Sequence, residues 1–116
     1  MNDIVRIDPG KRFCQAVVRG DTVHLAGIAA NVPGGIEAQT REVLKKIDGY
    51  LKQCGTDKSR LLFVQIWLRD IARDYAGMNA VWSEWVPQDA MPARATCQAA
   101  LAAPELLVEI IVTAAR

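Results

Sequence analysis

The sequence contains few of the side chains that build metal sites or activated nucleophiles. It has one histidine, His24, and three cysteines in 116 residues. Cys14, the cysteine nearest to His24 along the chain, does not lie at a spacing typical of metal ligands, and no cysteine stands beside a histidine. We therefore expect no metal site, a packed or interface histidine, and buried structural thiols rather than nucleophiles.

An excess of charge of one sign is also missing. Fourteen basic and thirteen acidic side chains leave a formal net charge of +1, which is too little for the basic surface that nucleic acids or anionic membranes attract. No apolar run approaches the roughly 20 residues that span a bilayer, and the opening residues, MNDIVRIDPG, lack a signal-peptide pattern. We expect a cytoplasmic protein whose partners are small molecules or proteins, with no membrane or nucleic acid partner.

The motifs that bind nucleotides or present a catalytic serine are absent as well. The chain contains no GxxxxGK motif, no GxGxxG after a strand and no GxSxG. The glycine pair Gly34-Gly35 follows Pro33 and predicts only a turn. We therefore expect no cofactor that depends on such a motif.

What the sequence does contain is a regular alternation of strand and helix patterns along a chain of single-domain length, which predicts one domain over residues 1–116. Apolar residues recur at three- and four-residue spacing in two segments, and alternate with period two in six others. The predicted helices span residues 36–54 and 74–86. The predicted strands span residues 4–7, 14–18, 22–26, 61–69, 93–101 and 107–113.

This order, β-β-β-α-β-α-β-β, predicts an α+β two-layer sandwich: a six-stranded mixed sheet with both helices on one face. The opposite face of that sheet should be polar if water covers it. The last two strand segments, ATCQAALA and VEIIVTAA, carry few charges on either set of alternating positions. A second subunit is therefore expected to cover this open face.

Two isolated charges stand out in these last strands. Arg94 begins an otherwise uncharged strand, and Glu109 is surrounded by apolar residues, where an unpaired carboxylate would be costly to bury. On adjacent antiparallel strands the two could meet as a buried or interface salt bridge. An arginine fork suits a substrate carboxylate equally well, and the residues alone leave both interpretations open. By contrast, the helical spacing of Tyr75, Trp82 and Trp85 predicts core packing.

The chain resembles the reactive intermediate deaminase family, also called the RidA or YjgF family. The likeness is carried by Pro92-Ala93-Arg94-Ala95 and Val108-Glu109-Ile110 at the family's interval, and it extends along nearly the whole chain. Further matching segments are Phe13-Cys14-Gln15-Ala16-Val17, Leu25-Ala26-Gly27 and Met78-Asn79-Ala80. The departures are Ala26 in place of a serine, Phe13 in place of a tyrosine, Thr96 in place of a cysteine and Ala102-Ala103 in place of a Leu-Pro pair.

The resemblance implies a homotrimer of chorismate-mutase-like subunits whose open sheet faces pack around the threefold axis, with sites between subunits. It implies hydrolysis of enamines or imines such as 2-aminoacrylate, 2-iminopropanoate or 2-iminobutanoate to 2-oxo acids and ammonia, without metal or organic cofactor. Arg94 would bind the substrate carboxylate and Glu109 would orient or deprotonate the attacking water. Gly27, Asn79, Phe13 and Thr96 would complete the substrate pocket.

A second interpretation is a non-catalytic trimer that binds small carboxylates through the same arginine and serves sensing or regulation. The loss of the serine and tyrosine hydroxyls at positions 26 and 13 favours it. Cleavage of single-stranded RNA, which the resemblance also suggests, requires a basic groove that this near-neutral chain does not predict.

Overall fold

A computed structural model describes residues 3–116; Met1 and Asn2, which the predicted domain includes, lie outside the described residues. The element order β-β-β-α-β-α-β-β and the α+β class are confirmed. A single turn of 3-10 helix at Lys58–Arg60, which the sequence analysis did not predict, precedes the fourth strand. The strands are β1 (Ile4–Pro9), β2 (Cys14–Arg19), β3 (Thr22–Leu25), β4 (Leu61–Leu68), β5 (Ala93–Gln98) and β6 (Val108–Ala115), and the helices are α1 (Gly35–Gln53) and α2 (Ile71–Trp85).

The six strands form one mixed sheet in the order β1-β2-β3-β6-β4-β5. Every neighbouring pair is antiparallel except β4 and β5, which run parallel because α2 carries the chain back between them. β4 therefore lies between β5 and β6. The expectation that Arg94 and Glu109 stand on adjacent antiparallel strands is wrong.

The hydrophobic core lies between the sheet and the two helices. Val64, Ile66 and Leu68 alternate on the helix-covered face of β4 and are fully buried. On α1, the four-residue spacing of Val43, Ile47 and Leu51 gives one apolar stripe that packs toward them. Burying each such side chain stabilises the fold by about 1.5–3 kcal/mol relative to exposure.

The opposite, open face of the sheet is also poor in charge. On β4 it presents Phe63, Gln65 and Trp67, and the register places Glu109 beside Trp67 and Ile111 beside Gln65. Phe63 is 43% exposed, and Trp67 and Ile111 are half-buried. This face matches the predicted apolar open surface, because its aromatic and aliphatic side chains have no helix over them.

Two element boundaries differ from the prediction by three residues each. α2 begins at Ile71, three residues earlier than predicted, because the Asp70 carboxylate accepts a hydrogen bond from the Arg73 backbone N–H at 3.1 Å and caps the helix. β5 ends at Gln98 rather than at residue 101. Beyond it the chain forms a loop of residues 99–107 that returns to β6.

Side chains from two other elements hold this loop in place. Arg69 donates hydrogen bonds to the backbone carbonyls of Ala103 at 2.6 Å and Leu106 at 2.8 Å. The buried Gln39 side chain donates to the Glu105 carbonyl at 2.8 Å and accepts from the Leu107 N–H at 2.9 Å. These hydrogen bonds give several backbone groups of the loop the partners that the strand would otherwise have supplied. No helix within residues 3–116 is long and apolar enough to cross a membrane.

Candidate functional site

Arg94 lies on β5, the edge strand, and points to the helix-covered side of the sheet, since its register partner is the buried Val64. Three residues of α2, spaced at four and three positions, face its guanidinium. Asn79 Oδ1 accepts from Arg94 Nη1 at 2.8 Å, and the Tyr75 hydroxyl accepts from Nη2 at 3.4 Å. The guanidinium carbon lies 5.4 Å from the centre of the Trp82 ring, within cation–π range.

An open cavity of about 560 Å³ adjoins this guanidinium. Its lining includes Arg94, Tyr75 and Thr96 together with the apolar side chains of Ile71 and Ala72. The Thr96 hydroxyl oxygen is the one buried side-chain oxygen or nitrogen without a hydrogen-bond partner among residues 3–116. The cavity therefore offers a cation, the Tyr75 hydroxyl and an apolar wall, which together suit a small organic anion.

Glu109 lies on the other side of the sheet. Its register partner on β4 is Trp67, so it projects from the open face of β6. The side chain packs directly on Gly27: a Cβ built on that glycine would clash with the Glu109 carboxylate. Gly27 is held there because Ile28, the next residue, exchanges two backbone hydrogen bonds with Ile110 at 2.9 and 3.0 Å.

Burial raises the pKa of the Glu109 carboxyl above its usual value. Within residues 3–116 no hydrogen bond or ion pair reaches this carboxylate, so nothing offsets the desolvation of its charged form. Because its pKa is raised and no partner occupies it, this carboxylate is a stronger base than an ordinary glutamate and is available to accept a proton.

The structure does not bring Arg94 and Glu109 together in one chain. They lie on opposite faces, and β4 separates their strands. Two strand spacings amount to about 10 Å, and three residues along β4, from Val64 to Trp67, add a further offset of about 10 Å along the strand. The salt bridge left open by the sequence analysis is therefore wrong for a single chain.

The other predicted pocket residues divide between the two sides. Asn79 and Thr96 accompany Arg94, whereas Phe13 and Gly27 line a separate cavity of about 260 Å³. The exposed Phe13 ring is 59% accessible. Whether any of these residues contacts a substrate stays a prediction.

Two residues of the Arg94 side, Tyr75 and Trp82, are not predicted as site residues by the sequence pattern, which indicates core packing for both. Trp82 is indeed buried, with 8% exposure, but the Arg94 guanidinium also lies over the face of its ring. Tyr75 is 44% exposed, and its ring lines the cavity, so its assignment to the core is wrong. The signal that could have found it is its four-residue spacing to Asn79, which places both side chains on one helix face.

None of the three cysteines lines either of these two cavities, and neither does His24. Cys54 is buried, and burial raises the pKa of its thiol, but Cys14 is half-buried and Cys97 is exposed. The prediction of buried cysteines is therefore wrong for Cys97. His24 is exposed, so it is not packed within the chain. No group of three or more potential metal-binding side chains occurs within residues 3–116.

Comparisons with a family model, with related sequences and with solved structures each find a match to nearly the whole chain. The family model described as endoribonuclease L-PSP matches residues 3–116. A RutC family protein of Haemophilus ducreyi is 40% identical over 113 residues, covering 97% of this chain and 96% of that protein. The crystal structure of a YjgF family protein from Neisseria meningitidis superposes with a TM-score of 0.93 at 42% identity, covering 98% of this chain and 95% of that one. A 3-aminoacrylate deaminase, RutC, of Acinetobacter baylyi is 40% identical over 90 residues, covering 78% of this chain and 64% of that protein.

Proposed function

The chain belongs to the endoribonuclease L-PSP family, the YjgF or RidA family, and we propose that it hydrolyses reactive enamine or imine intermediates that carry a carboxylate. The substrates would be of the 2-aminoacrylate, 2-iminopropanoate or 2-iminobutanoate type, and the products a 2-oxo acid and ammonia. Deamination of this kind is supported at the level of the family by the 3-aminoacrylate deaminase relative.

The observation that carries the proposal is the uncompensated charge of Arg94. Its partners Asn79, Tyr75 and Trp82 are all neutral, and no carboxylate pairs with its guanidinium within residues 3–116. A partly buried cation that is held by neutral groups beside a cavity still attracts an anion from solution. A substrate carboxylate would accept two parallel hydrogen bonds from the fork.

Glu109 would supply the proton transfer. Water attacks the iminium form of the substrate: a C–O bond forms, the C=N electron pair moves to the nitrogen, and the Glu109 carboxylate accepts the proton that the water loses. That proton then goes to the amine nitrogen of the resulting carbinolamine. The hydroxyl oxygen forms the C=O double bond as the C–N bond breaks, its proton returns to the carboxylate, and ammonia leaves. Because an iminium carbon is already electrophilic, the protein mainly has to hold the substrate and place the water.

For Arg94 and Glu109 to act on one substrate, they must come from different subunits. We propose a homotrimer in which the Arg94 side of one subunit meets the Glu109 side of its neighbour. The charge-poor open face, with Phe63, Trp67 and Ile111 uncovered, supports such an assembly, because apolar surface of this kind is costly in water. Sedimentation should give a trimer at micromolar concentration; a stable monomer would contradict this arrangement.

The test of the function is an assay that generates 2-aminoacrylate or 2-iminobutanoate in place and follows 2-oxo acid release above the spontaneous rate. Arg94→Lys keeps the charge but removes the planar fork. Its carboxylate affinity should fall by about a hundredfold, which corresponds to about 3 kcal/mol. Arg60→Lys, at an exposed position of the 3-10 turn, is the matched control and should behave as wild type.

The non-catalytic binder remains the second candidate, since Ala26 and Phe13 supply no hydroxyl group. It predicts wild-type binding of 2-oxo acids through Arg94 with no acceleration of imine hydrolysis. If Arg94→Lys matches wild type in both binding and turnover with the trimer intact, the arginine has a structural role and both functions are wrong.

A further inference from the structure

We infer that the Tyr75 hydroxyl is a substrate-binding group that donates a hydrogen bond to the carboxylate held by Arg94. This inference rests on the proposed function, in which Arg94 binds a substrate carboxylate. It adds a residue that the sequence analysis assigned to the core, and it gives this chain a hydroxyl donor on the arginine side of the site.

The position of Tyr75 is the first support. Its hydroxyl oxygen lies 3.4 Å from Arg94 Nη2, and its side chain lines the same cavity as Arg94 and Thr96. A carboxylate oxygen that accepts from Arg94 Nη2 would therefore lie within reach of the tyrosine hydroxyl. The 44% exposure of Tyr75 leaves that hydroxyl open to a ligand.

The hydrogen-bond capacity of the phenol is the second support. Toward Arg94 the hydroxyl acts as an acceptor, which uses a lone pair and leaves its own proton unused. No acceptor for that proton occurs within residues 3–116, and a contact of 3.4 Å is long for an N–H···O hydrogen bond. The hydroxyl is thus free to rotate and donate to an anion without losing a strong bond.

The surroundings favour a carboxylate over a neutral polar group. Arg94 brings a full positive charge, and hydrogen bonds to charged acceptors are stronger than those between neutral groups. Asn79 holds the guanidinium from the helix side by its amide oxygen at 2.8 Å, so that the remaining N–H groups keep a fixed orientation.

The experiment compares wild type, Tyr75→Phe and Ser83→Ala. The first variant removes only the hydroxyl from a half-exposed ring, and the second removes an exposed hydroxyl from the same helix as the matched control. Calorimetric titration with 2-oxobutanoate, an unreactive product-like carboxylate, measures affinity apart from turnover. The imine assay gives KM and kcat for each protein.

For Tyr75→Phe we expect about a tenfold weaker affinity for 2-oxobutanoate and a similar rise in KM, since one hydrogen bond to a charged group is lost. kcat should change much less, because the hydroxyl binds the carboxylate and not the reacting carbon. Ser83→Ala should match wild type.

Equal affinity of Tyr75→Phe and wild type, with turnover intact, would overturn this inference and leave the proposed function standing. If Tyr75→Phe binds 2-oxobutanoate more weakly than wild type, but wild type does not accelerate imine hydrolysis, the inference is supported and the deaminase function is overturned. A wild type that binds no 2-oxo acid at all would overturn both.

Discussion

The two halves of the candidate site are built in opposite ways. On the helix side, Arg94 is fixed by contacts to Asn79, Tyr75 and Trp82 of the same chain, and its charge faces a cavity. On the open side, Glu109 packs on Gly27 without any polar partner within residues 3–116, and burial alone raises its pKa. The groups that position Arg94 therefore lie in the same chain, whereas Glu109 has no polar partner within the described part of that chain.

The difference shows that a single chain is complete as a fold, whereas the site we propose needs groups from two chains. The core between sheet and helices is closed, and Arg69 and Gln39 hydrogen-bond to backbone groups of loop 99–107. The two chemical groups, however, project from opposite faces. In the proposed homotrimer, the Arg94 side of one subunit would meet the Glu109 side of its neighbour. This contact would bring the two groups together without changing the fold of either subunit.

The largest expected effect comes from mixing two defective proteins. Glu109→Gln alone should lower kcat by about 10²–10⁴ because the proton acceptor is lost, and Arg94→Lys alone should lose substrate binding. If sites lie between subunits, any trimer that contains both variants has one interface with an intact Arg94 facing an intact Glu109. Its turnover should therefore recover to roughly one third of the wild-type level.

This prediction is checked with co-expressed variants that carry two different affinity tags, purified over both tags so that only mixed trimers remain. Each variant purified alone is the control for residual activity. If the mixed trimers stay as inactive as the single variants, Arg94 and Glu109 of one site do not come from different subunits.

A smaller effect is expected from Gly27→Ala. The new Cβ would meet the Glu109 carboxylate and push it from its place, so kcat should fall by about tenfold or more while the affinity for 2-oxobutanoate stays within about twofold. The matched control is Gly49→Ala on the exposed face of α1, where a Cβ meets no atom within 4 Å. That variant should keep full activity and gain stability of about 0.5–1 kcal/mol. Equal losses of binding and kcat in Gly27→Ala would contradict the division of roles.

Much of the fold could be predicted from the sequence, because period-two and helical patterns report directly which side chains meet the core. Alternation alone separates Val64, Ile66 and Leu68 from the residues between them, and in β4 these three side chains are the buried set. Strand order could not be predicted in this way, since periodicity carries no information on which strand lies beside which. The separation of Arg94 and Glu109 depends on β4 lying between β5 and β6, and their opposite faces follow from their register partners on β4.

The charged residues of the candidate site could be predicted from the sequence, because isolated charges in apolar strands are easily recognised. The aromatic residues of the site could not, because the same spacing is typical of core packing. Arg94 and Glu109 stand out as charges in apolar strands. Trp82 and Tyr75 fit a helical apolar stripe, so their contacts to the guanidinium were hidden by a pattern that equally predicts packing. The apolar pattern also does not show where α2 begins. Asp70 caps the helix by accepting a hydrogen bond from the Arg73 backbone N–H, and this contact is not part of the apolar repeat.

The smallest expected effect concerns stability rather than activity, and it separates the two halves by pH. Because burial raises the pKa of Glu109, the folded chain binds its proton more tightly than the unfolded chain does. Stability therefore falls as pH rises from the usual carboxyl pKa through the raised one, and the full penalty is present above that window. Glu109→Gln removes this penalty, so the variant should be more stable than wild type at neutral pH and equal to it at about pH 4 and below, despite its lost turnover. Thermal unfolding from pH 4 to 8 measures the difference, with Glu105→Gln, an exposed carboxylate of the 99–107 loop, as the control for lost charge. A Glu109→Gln protein that is destabilised at neutral pH and recovers toward acid pH would mean that the carboxylate has a stabilising partner, and that the open half is as well satisfied as the Arg94 half.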